Sequence, residues 1–237
     1  MRVALCLSGH MRCFRDSYVH IKKNIIDRYH PDVFISTWST LGFWSCEDGG
    51  KGFHPGSPDL NEGEIVDLYK PNTILVQTFE DVEHIFEEAN VKHTNWKSRP
   101  KNMNSLFYKA KQSLNAMFDY ARANDIKYDL VIRMRPDMGI GPLPRMEDNL
   151  GVLWIKHHVN YLGEGTGTDF HAGSMANMRV MAQLYDHIDA LYARIGFACG
   201  HLYVSDYLRW KNVPFQSFNT WGRFYHSPKG EYKEPEK

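Results

Sequence analysis

The stretch RVALCLSGHMRCFRDSYVHIKKNIIDRYHPDVFIST, residues 2–37, decides the fold class. Arg2–Ser8 is rich in leucine and β-branched residues and ends at a glycine, which is typical of a buried strand that runs into a loop. From Cys13 to Tyr29, apolar residues recur every three or four positions and predict a helix with one buried face. Pro31 ends that helix, and Asp32–Thr37 has the pattern of a second short strand. Strand, helix and strand in this order form a βαβ unit, which implies parallel strands and a right-handed crossover.

The rest of the chain continues this alternation. Further strands are predicted at Thr73–Gln77, Tyr128–Met134, Gly151–His157 and Val213–Phe218. Helices are predicted at Asn61–Tyr69, Asp81–Ala89, from Asn104 or Ser105 to Ala121, at Ser174–Ile195 and at His201–Trp210. The segment from Leu41 to Asn61 is rich in Gly, Ser and Pro and predicts a long loop beside a site. We therefore expect an α/β fold, with a Rossmann-related, mostly parallel central sheet and helices on both of its faces.

Length and composition limit the classes of protein that this chain can belong to. Its 237 residues, 43% of them hydrophobic, predict one domain over residues 1–226 and a polar C-terminal tail over residues 227–237. Lys and Arg total 28 and so do Asp and Glu, so the net charge gives no sign of a nucleic-acid partner. No apolar run approaches the roughly 20 residues of a membrane span. The four cysteines lack CxxC spacing, so we expect reduced thiols and a cytoplasmic protein.

In open α/β sheets, ligands bind beyond the carboxyl ends of the parallel strands. The first such place is SGHMR, residues 8–12. Ser8 and Gly9 allow a ligand to approach the backbone closely, and Arg12 can form a two-point contact with a phosphate. An ordinary turn with a surface arginine explains the same residues. Because the GxxxxGK and GxGxxG spacings are absent, ATPase and dehydrogenase functions lose support.

The second place is RMRPD, residues 133–137, at the end of the strand YDLVIRM. On an extended chain, Arg133, Arg135 and Asp137 alternate onto one face. Burying two arginines and a carboxylate together is costly unless other charged groups neutralise them. A diphosphate with a divalent cation would do so. An internal ion pair between arginine and aspartate, which pins the strand end, is the alternative.

The third place is GEGTGTDFHAGS, residues 163–174. Its four glycines predict a loop that can bend around a ligand, and Glu164, Asp169 and His171 supply ionisable groups. A base in this loop could take a proton from a hydroxyl. A solvated loop, in which Asp169 accepts hydrogen bonds from nearby backbone, is an equal alternative.

Five motifs in order along the chain carry a resemblance to a known family. They are VALCLSGHMR, DVFISTW, NMNSLFYKAKQS, YDLVIRMRPDM and DFHAGSMANM. Together they resemble small glycosyltransferases of the GT-A type from viruses and bacteria, including sugar transferases that build surface polysaccharides. The resemblance covers residues 2 to about 215 and implies a GT-A-like fold, with a nucleotide-sugar donor across the carboxyl edge of the sheet.

The resemblance also implies roles for individual residues. Ser8, Gly9 and Arg12 would hold the nucleotide, and Asp137 would be the last acidic residue of the family's metal-binding Asp-x-Asp motif. Arg135 stands where the first Asp of that motif would be, so either one carboxylate holds Mn²⁺ or Mg²⁺, or Arg133 and Arg135 replace the metal's charge and the enzyme is metal-independent. Further along the chain, Lys109 or Lys111 could reach a phosphate, although a solvated helix face explains either lysine, and His226 could be a late metal ligand or a lone surface imidazole.

The implied activity is transfer of a hexose or deoxyhexose from a nucleoside diphosphate sugar to a hydroxyl of a glycan. Asp169 is the candidate base for an inverting reaction, with Glu164 and Asp206 as substitutes, and Arg135 is the candidate for stabilising the leaving group.

Two other functional classes stay open. One is a catalytically inactive protein that binds a nucleotide sugar or glycan, and the other is a sulfo- or phosphotransferase that holds an anion with its arginines. Trp38, with Phe43 and Trp44, could form a wall on which a sugar stacks, although aromatic residues are more often buried in the core.

Overall fold

The computed structural model describes residues 1–42, 57–97, 99–157 and 165–224. In chain order its strands are β1 (Val3–Ser8), β2 (Asp32–Trp38), β3 (Thr73–Gln77), β4 (Leu130–Met134), β5 (Met138–Ile140), β6 (Leu153–Lys156), β7 (Phe170–Gly173), β8 (Phe215–Phe218) and β9 (Gly222–Phe224). Seven of them form one sheet in the order β3-β2-β1-β4-β7-β6-β8, and β5 pairs with β9 separately. Within the large sheet, β7 is antiparallel to both of its neighbours and every other pair is parallel.

The helices cover both faces of this sheet. They are α1 (Phe14–Ile21), α2 (Asp27–Tyr29), α3 (Glu62–Tyr69), α4 (Glu83–Lys92), α5 (Pro100–Ala123), α6 (Met175–Ala182), α7 (Ile188–Ile195) and α8 (Gly200–Trp210). One apolar layer joins the sheet to α5, α6, α7 and α8, and a second joins it to α1 and α3. The predicted α/β class, a mostly parallel sheet with helices on both faces, is confirmed.

Several element boundaries differ from the prediction. The helix expected over Cys13–Tyr29 is interrupted by a π-helical turn at Lys22–Ile26 and ends where His30 takes a φ of 45°. The helix expected over Ser174–Ile195 is divided by a 3-10 turn at Leu184–His187. The long helix α5 begins at Pro100 because proline suits the first helical position, where its missing N–H has no partner to lose.

The largest departure is β7, which lies inside the stretch predicted as a loop, Gly163–Ser174. Its four residues are completely buried between β4 and β6, although two of them are glycine and histidine. Strand pairing on both sides satisfies their backbone groups, and this tertiary pairing overrides the loop-like composition. No helix in the described ranges is long and apolar enough to cross a bilayer.

Candidate functional site

The turn after β1 forms the first wall of the carboxyl edge. Gly9 adopts a φ of 109°, which a side chain would strain, and its N–H donates to the Ser36 carbonyl at 3.0 Å. Arg12, at a φ of 40°, donates its backbone N–H to the Leu41 carbonyl at 2.6 Å. These two bonds fix the turn against the end of β2 and direct the Arg12 side chain toward β4.

Three of the predicted residues form what we term the arginine–aspartate cluster: Arg12, Arg135 and Asp137. Arg135 donates from Nε to Asp137 Oδ1 at 2.9 Å and from Nη2 to Oδ2 at 2.7 Å. Arg12 Nη1 donates to the same Oδ2 at 2.6 Å. The Asp137 side chain is 1% exposed, whereas the Arg12 and Arg135 side chains are 10% and 19% exposed. Solvent and ligands therefore meet the two guanidinium groups and not the carboxylate.

Electrostatics in this cluster favour the charged states of Asp137 and Arg135, whereas burial lowers the pKa of Arg12. Burial alone would raise the pKa of Asp137, but Arg135 and Arg12 outweigh it and hold that pKa below its ordinary range. Burial alone would lower the pKa of Arg135, yet the Asp137 carboxylate raises it. The expectation of an internal ion pair between arginine and aspartate is therefore what the structure shows for Asp137.

Arg133 lies behind this cluster and is 1% exposed. Its Nε donates to Ser8 Oγ at 2.8 Å and its Nη1 to the Thr168 carbonyl at 2.6 Å, so it connects β1 with the segment before β7. Among the described residues, its Nη2 and the Nε of Arg12 have no acceptor. Burial lowers the pKa of Arg133 to about 10, with Asp169 opposing that effect, and the group stays charged at neutral pH.

Asp169 joins the site because β7 runs against its neighbours. An antiparallel strand brings its amino end to the edge where the parallel strands have their carboxyl ends. The Arg135 N–H donates to the Asp169 carbonyl at 3.1 Å, and Arg135 Nη1 lies 3.7 Å from Asp169 Oδ1. Two residues later, His171 is buried with Nε2 3.1 Å from the Gly167 carbonyl, and burial lowers its pKa to about 3. His171 is therefore uncharged and holds the loop, whereas Asp169 faces the arginines.

Lys109 is completely buried at the far end of the same edge. Its Nζ lies 3.9 Å from the centre of the Trp38 ring and donates to Gln77 Oε1 at 3.1 Å. No carboxylate pairs with it within the part of the chain that the structure describes. Burial lowers the pKa of Lys109 to about 7.

The predicted metal role does not fit these residues. Both oxygens of Asp137 accept charge-assisted hydrogen bonds from arginine, and a cation would have to displace two buried guanidinium groups to reach them. In the described ranges, no three His, Cys, Asp or Glu side chains come together in a way that could hold a metal ion. The positive charge around Asp137 comes from Arg12 and Arg135.

Other candidates do not join the site, or lie outside the described residues. Asp206 is on α8, paired with Arg194 at 2.7 Å, and Lys111 is paired with Asp186 at 2.5 Å. Trp38 is 1% exposed and packs on Phe79, so it forms core and not a wall for a sugar. The candidates outside the described residues are Phe43, Trp44, Glu164 and His226.

Sequence reasoning missed the partners that hold the charged groups in place. Gln77, the last residue of β3, accepts from Lys109, and Gln112 on α5 donates to the same oxygen at 3.2 Å. Ser36 Oγ in turn donates to Gln112 Oε1 at 2.9 Å. Gln77 could have been identified from the sequence, because it is a polar residue at the end of a predicted strand. No rule of sequence spacing predicts its pairing with Gln112.

Comparisons with known proteins do not assign this chain to a family. No protein-family model and no curated protein matches the chain, so the viral or bacterial family that the motifs resemble gains no support. Among solved structures, the crystal structure of mouse xyloside xylosyltransferase 1 in its apo form is similar. It shares 11% sequence identity, covers 92% of this chain and 84% of that chain, and has a TM-score of 0.48.

Proposed function

We propose that this protein is a glycosyltransferase that moves a hexosyl or deoxyhexosyl group from a nucleoside diphosphate sugar to a glycan hydroxyl. The observation that carries the proposal is the charge at the carboxyl edge. Arg12, Arg133 and Arg135 face two carboxylates, Asp137 and Asp169, so positive charge is in excess in a buried setting. An excess of buried cations is costly until an anion arrives, and a diphosphate is such an anion.

The arrangement suits a diphosphate better than a single carboxylate. Arg12 and Arg135 both donate to Asp137, so two guanidinium groups lie beside one carboxylate, and among the described residues the Nε of Arg12 has no acceptor. Ser8 and Gly9 lie at the adjacent turn, where a backbone without a side chain permits close approach. In our proposal these residues hold the donor, Arg133 supports Ser8 from behind, and Lys109 adds positive charge at the β3 side.

In the reaction, the bond between the anomeric carbon and the donor phosphate oxygen breaks, and the acceptor oxygen forms a new bond to that carbon. Negative charge develops on the departing diphosphate, and a guanidinium that is already in place meets it as it develops. We assign that role to Arg135, the most exposed of the three arginines. We assign Asp169 as the base that takes the acceptor's hydroxyl proton in an inverting reaction, since a retaining reaction needs no such base.

The experiment that tests donor binding is calorimetric titration with UDP, GDP and ADP, with and without Mn²⁺. We expect one of the two sugar-donor nucleotides, UDP or GDP, to bind without a requirement for Mn²⁺, because arginines supply the charge. Preference for an adenosine nucleotide would favour the sulfo- or phosphotransferase alternative. Binding of a nucleotide sugar without transfer or hydrolysis would identify an inactive binding protein.

Arg135→Ala should lower turnover of the donor at least tenfold. Losing one contact to developing charge typically costs about 2.7 to 4 kcal/mol in the transition state. The matched control is Arg122→Ala, since the Arg122 side chain is 81% exposed on α5 and pairs only with Asp119. Normal turnover in a folded Arg135→Ala protein would exclude this arginine from the reaction.

Asp169→Asn separates the two chemical roles. The amide is nearly isosteric with the carboxylate but does not accept a proton, so we expect loss of transfer to acceptor with retention of nucleotide binding. Product analysis by mass spectrometry, with titration of the same variant, measures both. Full transfer by the variant would remove Asp169 from the role of base.

A further inference from the structure

Lys109 differs from the arginines of this edge because, among the described residues, no carboxylate lies against it. Its ammonium group contacts the Trp38 ring and one neutral amide oxygen, that of Gln77. A buried ammonium without a counter-charge is unfavourable, and such a group either loses its proton or obtains an anionic partner. Lys109 is therefore the group at this edge whose charge a ligand can change.

Other charged groups near Lys109 are already occupied. Those of the surrounding elements are Glu83 and Glu87 on α4, both paired with Lys101, and Asp186 in the 3-10 turn, paired with Lys111. Tyr108 and Tyr185 lie on the same aromatic cluster, and burial raises the pKa of Tyr185 to about 12. His10, on the β1 turn, is neutral because burial lowers its pKa to about 3. None of these groups supplies a charge to Lys109.

A chain of hydrogen bonds links Lys109 to the turn that we assign to the donor. Lys109 and Gln112 both donate to Gln77 Oε1, and Ser36 Oγ donates to Gln112 Oε1. The Ser36 carbonyl accepts the backbone N–H of Gly9 at 3.0 Å. Lys109 and Ser36, at the two ends of this path, are both 0% exposed, so an anion at the turn acts on Lys109 with less screening than it would in water.

We propose that Lys109 takes up a proton from solvent when an anionic donor binds at the Ser8–Arg12 turn, so that donor affinity is linked to pH. This inference rests on the proposed function. In the empty protein, burial lowers the pKa of Lys109 to about 7, so its amine is mostly uncharged in mildly alkaline solution. A diphosphate at the turn stabilises the charged form, and one proton passes to Nζ.

The test is calorimetry of UDP or GDP binding near pH 8 in buffers that differ in ionisation enthalpy. The phosphates are fully ionised there, since their last pKa is about 6, and the arginines are charged near pH 8, because burial lowers the pKa of Arg133 only to about 10. We expect uptake of close to one proton per nucleotide, and nearly a tenfold loss of affinity for each added pH unit above 8. The slope of observed enthalpy against buffer enthalpy gives the uptake directly.

Three variants make the result specific. Lys109→Met should abolish proton uptake and flatten the pH dependence, and Lys109→Arg, which is always charged, should abolish uptake while retaining binding. Lys111→Met is the control and should behave as the wild type, because Lys111 already pairs with Asp186. Nucleotide binding without proton uptake in the wild type, or unchanged uptake in Lys109→Met, would overturn the inference alone. Failure of every nucleotide to bind would overturn the proposed function and the inference together.

Discussion

Two cationic regions lie at the same sheet edge and are compensated in opposite ways. In the arginine–aspartate cluster, one carboxylate with no exposed oxygen accepts three hydrogen bonds from two guanidinium groups. Around Lys109, an aromatic ring and neutral amides replace the carboxylate. The first region is charged at neutral pH, whereas the second has a charge that depends on its surroundings. Burial alone therefore does not determine the state of a cation; its hydrogen-bond partners do.

The largest expected effect comes from breaking the first region. Asp137→Ala should destabilise the protein by roughly 3 to 5 kcal/mol, because it leaves two guanidinium groups facing each other without their anion. Urea unfolding followed by circular dichroism measures the change. The control is Asp119→Ala, whose side chain is 66% exposed and pairs with Arg122 within α5. A loss below about 1 kcal/mol would show that solvent, and not Asp137, compensates the arginines.

The second region should respond in the opposite direction. Between pH 7 and 10, the unfolded chain binds more protons at Lys109 than the folded protein, because burial lowers the folded-state pKa to about 7. The free energy of unfolding therefore rises with pH in this range. Below pH 7 the amine is charged in the folded and the unfolded protein, and the cost of burying that charge then applies in full. Lys109→Met should be more stable than the wild type at neutral pH by about 2 to 4 kcal/mol, with a difference that shrinks toward pH 10. Parallel pH profiles of the two proteins would contradict this account, and Lys111→Met provides the matched control.

The smallest effect should come from an ion pair outside both regions. Asp206 and Arg194 have side chains that are 27% and 47% exposed. Asp206→Ala should cost at most about 1 kcal/mol, since exposed pairs gain little over water. It should also leave nucleotide affinity unchanged, because Asp206 lies on α8 and not in the cluster. A change in affinity measured by titration would return Asp206 to the list of site residues.

The sequence was sufficient to predict the parallel strands of the sheet and to place the RMRPD motif at its edge. Buried strands such as Tyr128–Met134 have continuous apolar runs, and the positions that follow them are fixed by the rule for open sheets. RMRPD was therefore recognisable as an edge motif. The pairing of Asp137 with Arg12 was not predictable, because Arg12 lies 125 positions away in the chain. Pairing at that separation depends on tertiary geometry and not on local spacing.

The strand β7 shows the other limit of sequence reasoning. Its composition, FHAG, is that of a loop, and it becomes a strand only because β4 and β6 enclose it. The role proposed for Asp169 needed only a glycine-rich segment with acidic groups, and Asp169 itself lies in the bend just before the strand, as the loop prediction expected. Conversely, the charge state of Lys109 depends on its contacts with Trp38 and Gln77, and the helical periodicity of the sequence does not predict these contacts.

The antiparallel direction of β7 also has a consequence for the order of folding. The β4–β7 ladder joins segments about forty residues apart, and it ends at the hydrogen bond from the Arg135 N–H to the Asp169 carbonyl. Closing so long a loop is entropically costly and belongs to the slower steps of chain assembly. We therefore expect the proposed donor site to form only in molecules whose β4–β7 ladder has closed, and amide exchange at Arg135 would report that closure.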